Sequence, residues 1–187
     1  MNILHGIYLL ATGRSRGLEK FGAGRRDFLI SLYMLLGVPI LAALVTIGQY
    51  GMAPAVGLAL VLTCALMAPP VISHALARFW GREVLWPRFA TAFNWSRAGV
   101  VAVFAIMLVV TAILIQMGFP REAAGELLLG GMSIYSLWLE WFIARHGLQI
   151  STARAVISVL AINGTTFLLL GIPSVVARMF EGGAPPG

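Results

Sequence analysis

The chain has 187 residues, 59% hydrophobic and only 11% charged, with a formal net charge of +6. Soluble domains carry about 45–50% apolar and about 25% charged residues, and a fold this small leaves much of its surface exposed, so a water-soluble globule is excluded. Nucleic-acid binding is not indicated either, because the basic residues lie between apolar runs rather than along one stripe, as membrane orientation demands.

The opening residues "MNILHGIYLLATGRSRGLEKF" resemble a secretory leader only superficially. Their apolar part, Ile3 to Ala11, is short and has no basic residue before it. The positive cluster follows it, where translocation is blocked rather than cleavage favoured. Residues 1–27 are therefore expected to form a cytoplasmic segment with a short, uncleaved interfacial amphipathic helix. "GRSRG" and "GAGRRD" are rich in glycine and arginine, but no strand precedes them, so a nucleotide loop is not indicated.

Five apolar runs follow, at about Phe28–Ile47, Ala53–Ala75, Ala98–Phe119, Ala123–Ile143 and Ala155–Val176. Crossing a bilayer takes roughly 20 residues at 1.5 Å each, and all five meet that length. The expectation is an all-α integral membrane protein, a five-helix bundle over residues 28–176. The fourth run carries Glu126 in its first turn and Gly130-Gly131 at its middle. Gly37 and Pro39, Pro69-Pro70, and Gly164 with Pro173 interrupt the first, second and fifth. Broken helices line binding sites in transporters, but such residues are also simply common in membrane helices. Residues 177–187, ending "EGGAPPG", are expected to be disordered.

Charge sets the orientation. Arg14, Arg16, Lys20, Arg25 and Arg26 precede the first span; Arg78, Arg82, Arg88 and Arg97 separate the second and third; Arg145 and Arg154 separate the fourth and fifth. The other side holds only Arg121 and Arg178. The positive-inside rule then places the N-terminus in the cytoplasm and the C-terminus outside, in a bacterial inner membrane. Between the second and third spans, Ala77 to Arg97 reads as the only substantial loop. Its Phe79, Trp80, Trp86, Phe89, Phe93 and Trp95 could stack on single-stranded nucleic acid. With spans on both sides, they are expected to lie at headgroup level instead.

Few residues suggest chemistry. Glu126, Ser133 and Glu140 are spaced by seven, with Ser136 near the same line, and should share one helix face turned toward other helices. Glu140, near the cytoplasmic end, is expected to pair with Arg145, or with Arg82 or Arg97 from the other inner loop. His74 lies four residues before Arg78 and, as a histidine at the end of a span, is a switch candidate. Asn163 and Thr165-Thr166 form the polar island of the fifth span and are expected to bond a neighbouring helix. Cys64 is expected to be a small buried hydrophobe. It rules out an intrachain disulfide, and no ligand spacing suggests a metal or other cofactor. No catalytic motif is present.

"FNWSR" before the third span and "SLWLEWFIARHGL" closing the fourth resemble a group of small, uncharacterised inner-membrane proteins of alphaproteobacteria. The resemblance covers most of the chain from "RRDF" onward and implies a bacterial inner membrane with no assigned activity. Five spans after a polar N-terminal segment are also similar, in architecture only, to the Yip1-type membrane proteins. Two functions stay open. One is a non-enzymatic structural, assembly or interaction role, packing against other membrane subunits or a second copy in the lipid bilayer. The other is a small transporter or channel subunit with a polar path near Glu140, His74 and Asn163.

Overall fold

The computed structural model describes residues 2–181, with side chains through Gly171. Among these residues there are six α-helices: α1 (Ile3–Ala11), α2 (Arg25–Tyr50), α3 (Met52–Phe79), α4 (Trp86–Gln116), α5 (Arg121–Gly147) and α6 (Thr152–Glu181). Two short 3-10 turns, Ser15–Lys20 and Glu83–Leu85, complete the described secondary structure, which contains no strand. Helices α2 to α6 are each long and apolar enough to cross a membrane. The architecture is thus an all-α membrane protein of five spanning helices preceded by a short N-terminal helix.

The five spans form a ring. Helix α2 packs against α3 and α4, α3 against α6, α6 against α5, and α5 back against α4. Apart from the carbonyls that face prolines inside α2 and α3, the backbone can bond within each helix, as hydrocarbon requires. Helices α2 and α3 are joined at Gly51 alone, whose φ of 89° lies where a side chain would be strained. Prolines 39, 69 and 70 lie inside α2 and α3 without ending either helix. Gly130 and Gly131 likewise leave α5 continuous.

Packing is concentrated at the end of the ring that carries the basic residues. Leu10, Phe21, Phe89, Phe93, Ile143, Leu148 and Ile162 are buried together there. Helix α1, begun by the Asn2 side chain accepting from the His5 N–H at 3.2 Å, lies across α4 and α5. A Cβ on Gly99 would come within 2.7 Å of Ile7 Cγ2, so the missing side chain is what lets α1 settle on α4. Its outer face, Leu4 and Tyr8, stays exposed.

Three expectations are corrected. The segment Ala77 to Arg97 is not a loop: α3 runs to Phe79 and α4 already begins at Trp86. Pro87 sits in the first turn of α4, where its missing N–H costs nothing. Phe89 and Phe93, four apart and therefore on one face, enter the core, with ring centroids 5.5 Å apart. Only Phe79 of the six aromatics is exposed. Cys64 is exposed rather than buried; in lipid an apolar side chain needs no protein cover. The fifth span's side chains beyond Gly171, including Pro173 and Arg178, and the tail beyond residue 181 lie outside what the structure describes.

Candidate functional site

The polar centre of the ring is assembled from three helices. On α5, Leu139 to Ala144 turns inward and carries Glu140 with it, 8% exposed. Glu140 Oε2 accepts a hydrogen bond from Asn163 Nδ2 of α6 at 2.5 Å. The same amide nitrogen donates to the Val159 carbonyl at 3.0 Å, which fixes its orientation. Glu140 Oε1 lies 3.8 Å from Arg97 Nε of α4. That separation is an ion pair but exceeds a hydrogen bond. Taking both charges out of water is costly unless their remaining valences are met, and Asn163 meets one of Glu140's.

These groups face a cavity of about 330 Å³. Every span contributes to its wall: Leu35 and Val38 from α2, Leu66 from α3, Ser96 and Arg97 from α4, Ser136 and Glu140 from α5, and Asn163 from α6. The Ser96 hydroxyl is buried and has no protein partner. Proline lacks an N–H, so the carbonyl four residues earlier loses its usual helical donor. For Pro39 and Pro70 those carbonyls belong to Leu35 and Leu66, both on the cavity wall. One wall is apolar, with Leu35, Val38 and Leu66, and the other carries a guanidinium, a carboxylate, an amide and a free hydroxyl. Such a set can bind a small polar solute by exchanging partners with it.

The other expected residues lie elsewhere. His74 does not join Glu140 and Asn163. The short turn after α3 brings Glu83 back over it, with His74 Nε2 3.5 Å from Glu83 Oε1, and the His74 and Trp86 rings pack T-shaped with centroids 4.6 Å apart. Arg82 is exposed and forms no ion pair among the described residues. Arg145 lies over the Trp141 ring at 5.4 Å, a cation–π contact rather than a salt bridge with Glu140. The expected stripe along α5 is split. Ser136 and Glu140 face the cavity, whereas Glu126 and Ser133 are exposed. The first-turn acid of α5 is Glu122, not Glu126. Thr166 turns back to its own helix, donating to the Ile162 carbonyl at 2.8 Å.

Sequence reasoning missed the free hydroxyl of Ser96 and three further interhelical bonds, one of them from Tyr135 Oη of α5, which donates to the Ala11 carbonyl of α1 at 3.2 Å. Asn94 Nδ2 donates to Ser31 Oγ of α2 at 3.0 Å, with both residues buried. Trp86 Nε1 donates to Ser73 Oγ of α3 at 3.0 Å. The signal for the bond to Ser31 was Asn94 itself, a lone amide among aromatics. No group of three or more His, Cys, Asp or Glu residues is placed to hold a metal among the described residues. No protein-family pattern, curated protein or solved structure matches the chain.

Proposed function

We propose that this is a small transporter or channel subunit of a bacterial inner membrane, holding a polar solute in its central cavity. The observation that carries the proposal is the convergence of all five spans on one cavity containing Arg97, Glu140, Asn163 and the partnerless Ser96 hydroxyl. The eleven-to-two bias of basic residues supports a cytoplasmic N-terminus and an external C-terminus. Reporter fusions after Gly118 and at Gly187 should both read outside; a cytoplasmic signal at Gly187 would reverse the assignment. The same reading keeps the chain beside the small alphaproteobacterial inner-membrane proteins and, in architecture alone, the Yip1-type proteins.

A second reading rests on the Glu140–Asn163 bond, which ties α5 to α6 and would serve a purely structural or assembly role. Glu140→Gln separates the two. Under the transport reading, cells expressing Glu140→Gln or Arg97→Gln, whose broken ion pair also lowers abundance, are scored per molecule present in the membrane. They lose the solute uptake that distinguishes wild-type cells from cells lacking the chain. Reduced abundance with unchanged uptake per molecule would leave only the structural role.

A further inference from the structure

We infer that the basic rim contains a binding site for a phospholipid headgroup, distinct from the central cavity. The 3-10 turn Ser15–Lys20, the first turn of α4 and the last turn of α5 bring Arg16, Arg88 and His146 around one cavity of about 550 Å³. Three other basic side chains near this end have partners. Arg97 pairs with Glu140, Arg145 lies over Trp141 and Arg154 over Trp80. Arg16 and Arg88 have neither an ion pair nor a hydrogen bond among the described residues. His146 Nδ1 faces the Phe142 carbonyl at 2.9 Å, which leaves Nε2 for the cavity. Two free guanidinium forks and an imidazole suit a phosphate diester.

The surroundings favour a lipid over a free anion. Val84 lines the same cavity yet is 91% exposed. An apolar side chain so placed suits the glycerol and acyl boundary and gives nothing to inorganic phosphate. The cavity also lies at the ends of spanning helices, where lipid headgroups are concentrated, and basic pockets between spans bind such groups. Glu19 lines the cavity as well, so the headgroup should bring a donor, an ammonium or a hydroxyl, beside its phosphate. Gln149, with φ 51°, lines the wall as the left-handed residue that ends α5, its turn closed by the Ile150 N–H donating to the Arg145 carbonyl at 3.2 Å.

The test uses the full chain, delipidated in detergent and titrated with phosphatidylglycerol in mixed micelles, with bound lipid counted by native mass spectrometry. One lipid per chain is expected, undisplaced by excess inorganic phosphate. Arg16→Gln with Arg88→Gln should weaken binding by about tenfold or more, as expected for losing charge-assisted bonds. Arg145→Gln, on the same rim but stacked on Trp141, should leave it unchanged. Should the double variant unfold, Arg88→Lys, which keeps the charge but not the fork, must still weaken binding. Equal losses in all variants would reduce the effect to diffuse charge and overturn the site. Displacement by phosphate, or no retained lipid, would overturn it too.

Discussion

The two halves of the ring differ in what they bury. At the basic end, Phe89 to Asn94 of α4, Phe142 to Ala144 of α5, and Ser158, Val159 and Ile162 of α6 are buried. At the other end, no residue of α4 from Arg97 to Gln116 is buried, and Val109 and Ile113 are 61% and 50% exposed. Both halves are rich in apolar side chains, so hydrophobicity does not explain the difference. In lipid, apolar side chains gain little by leaving the solvent, and helices associate through packing and interhelical hydrogen bonds. The described interhelical bonds, Asn94–Ser31, Trp86–Ser73, Asn163–Glu140 and Tyr135–Ala11, all fall toward the basic end. Close packing follows the groups that need partners. The aliphatic far half is left to face lipid or another protein.

Paired substitutions break or sharpen this contrast. Phe89 has no exposure, and truncating a fully buried aromatic costs about 3–5 kcal/mol. Phe89→Ala should therefore lower stability by about 4 kcal/mol in reversible unfolding. Ile113→Ala in the far half should cost under about 0.5 kcal/mol, as surface changes do. Equal costs would show that the far half is as closely packed as the near one. Glu140→Leu comes next. It leaves Arg97 unpaired in the cavity, and removing one member of a buried pair costs about 3–5 kcal/mol. Arg97 keeps 27% of its side chain exposed, so about 3 kcal/mol is expected. Glu140→Leu with Arg97→Met should recover most of that loss. Failure of the double variant to recover would mean that Arg97 is not Glu140's working counter-ion.

That pairing also marks how far the sequence can be followed. Run length was enough for five spans, because it follows from bilayer thickness. Glu140 stood out as an acid in an apolar span. Its partner was not decidable among Arg82, Arg97 and Arg145, because the third span was expected to start at Ala98, which left Arg97 at its mouth. In fact α4 begins at Trp86. Arg97 therefore sits about three turns inside the helix, at the depth of Glu140. The missed clue was Pro87 followed by Phe89 and Phe93. Interleaved arginines and aromatics look like an interfacial loop until the spacing of four is given its weight. His74 was misgrouped for a related reason: the fold of the short turn carrying Glu83 leaves no periodic trace.

A smaller effect is expected at Asn94. Its amide joins α4 to α2 through Ser31, and one such interhelical bond is worth about 0.6–2 kcal/mol. Asn94→Ala should lower stability by about 1 kcal/mol. Ser31→Ala should cost a similar amount, and the double variant little more than either alone. Additive losses would place Asn94's contribution in packing rather than in the bond.

The smallest effect belongs to Glu126, and it decides what the far half faces. In the far half α5 buries Ala124. At about 100° per residue, Glu126 points about 200° away from Ala124, and Glu140, two heptads on, about 160° away. The two acids thus share a face, yet one is buried and the other exposed, because α5 approaches its far-end neighbours through the opposite side. Glu126→Leu should therefore change stability in detergent by under about 0.5 kcal/mol and leave membrane abundance intact. If abundance falls while detergent stability holds, Glu126 is covered in the bilayer by a second copy or another subunit. The open half of the ring would then be an assembly surface rather than a lipid-facing one.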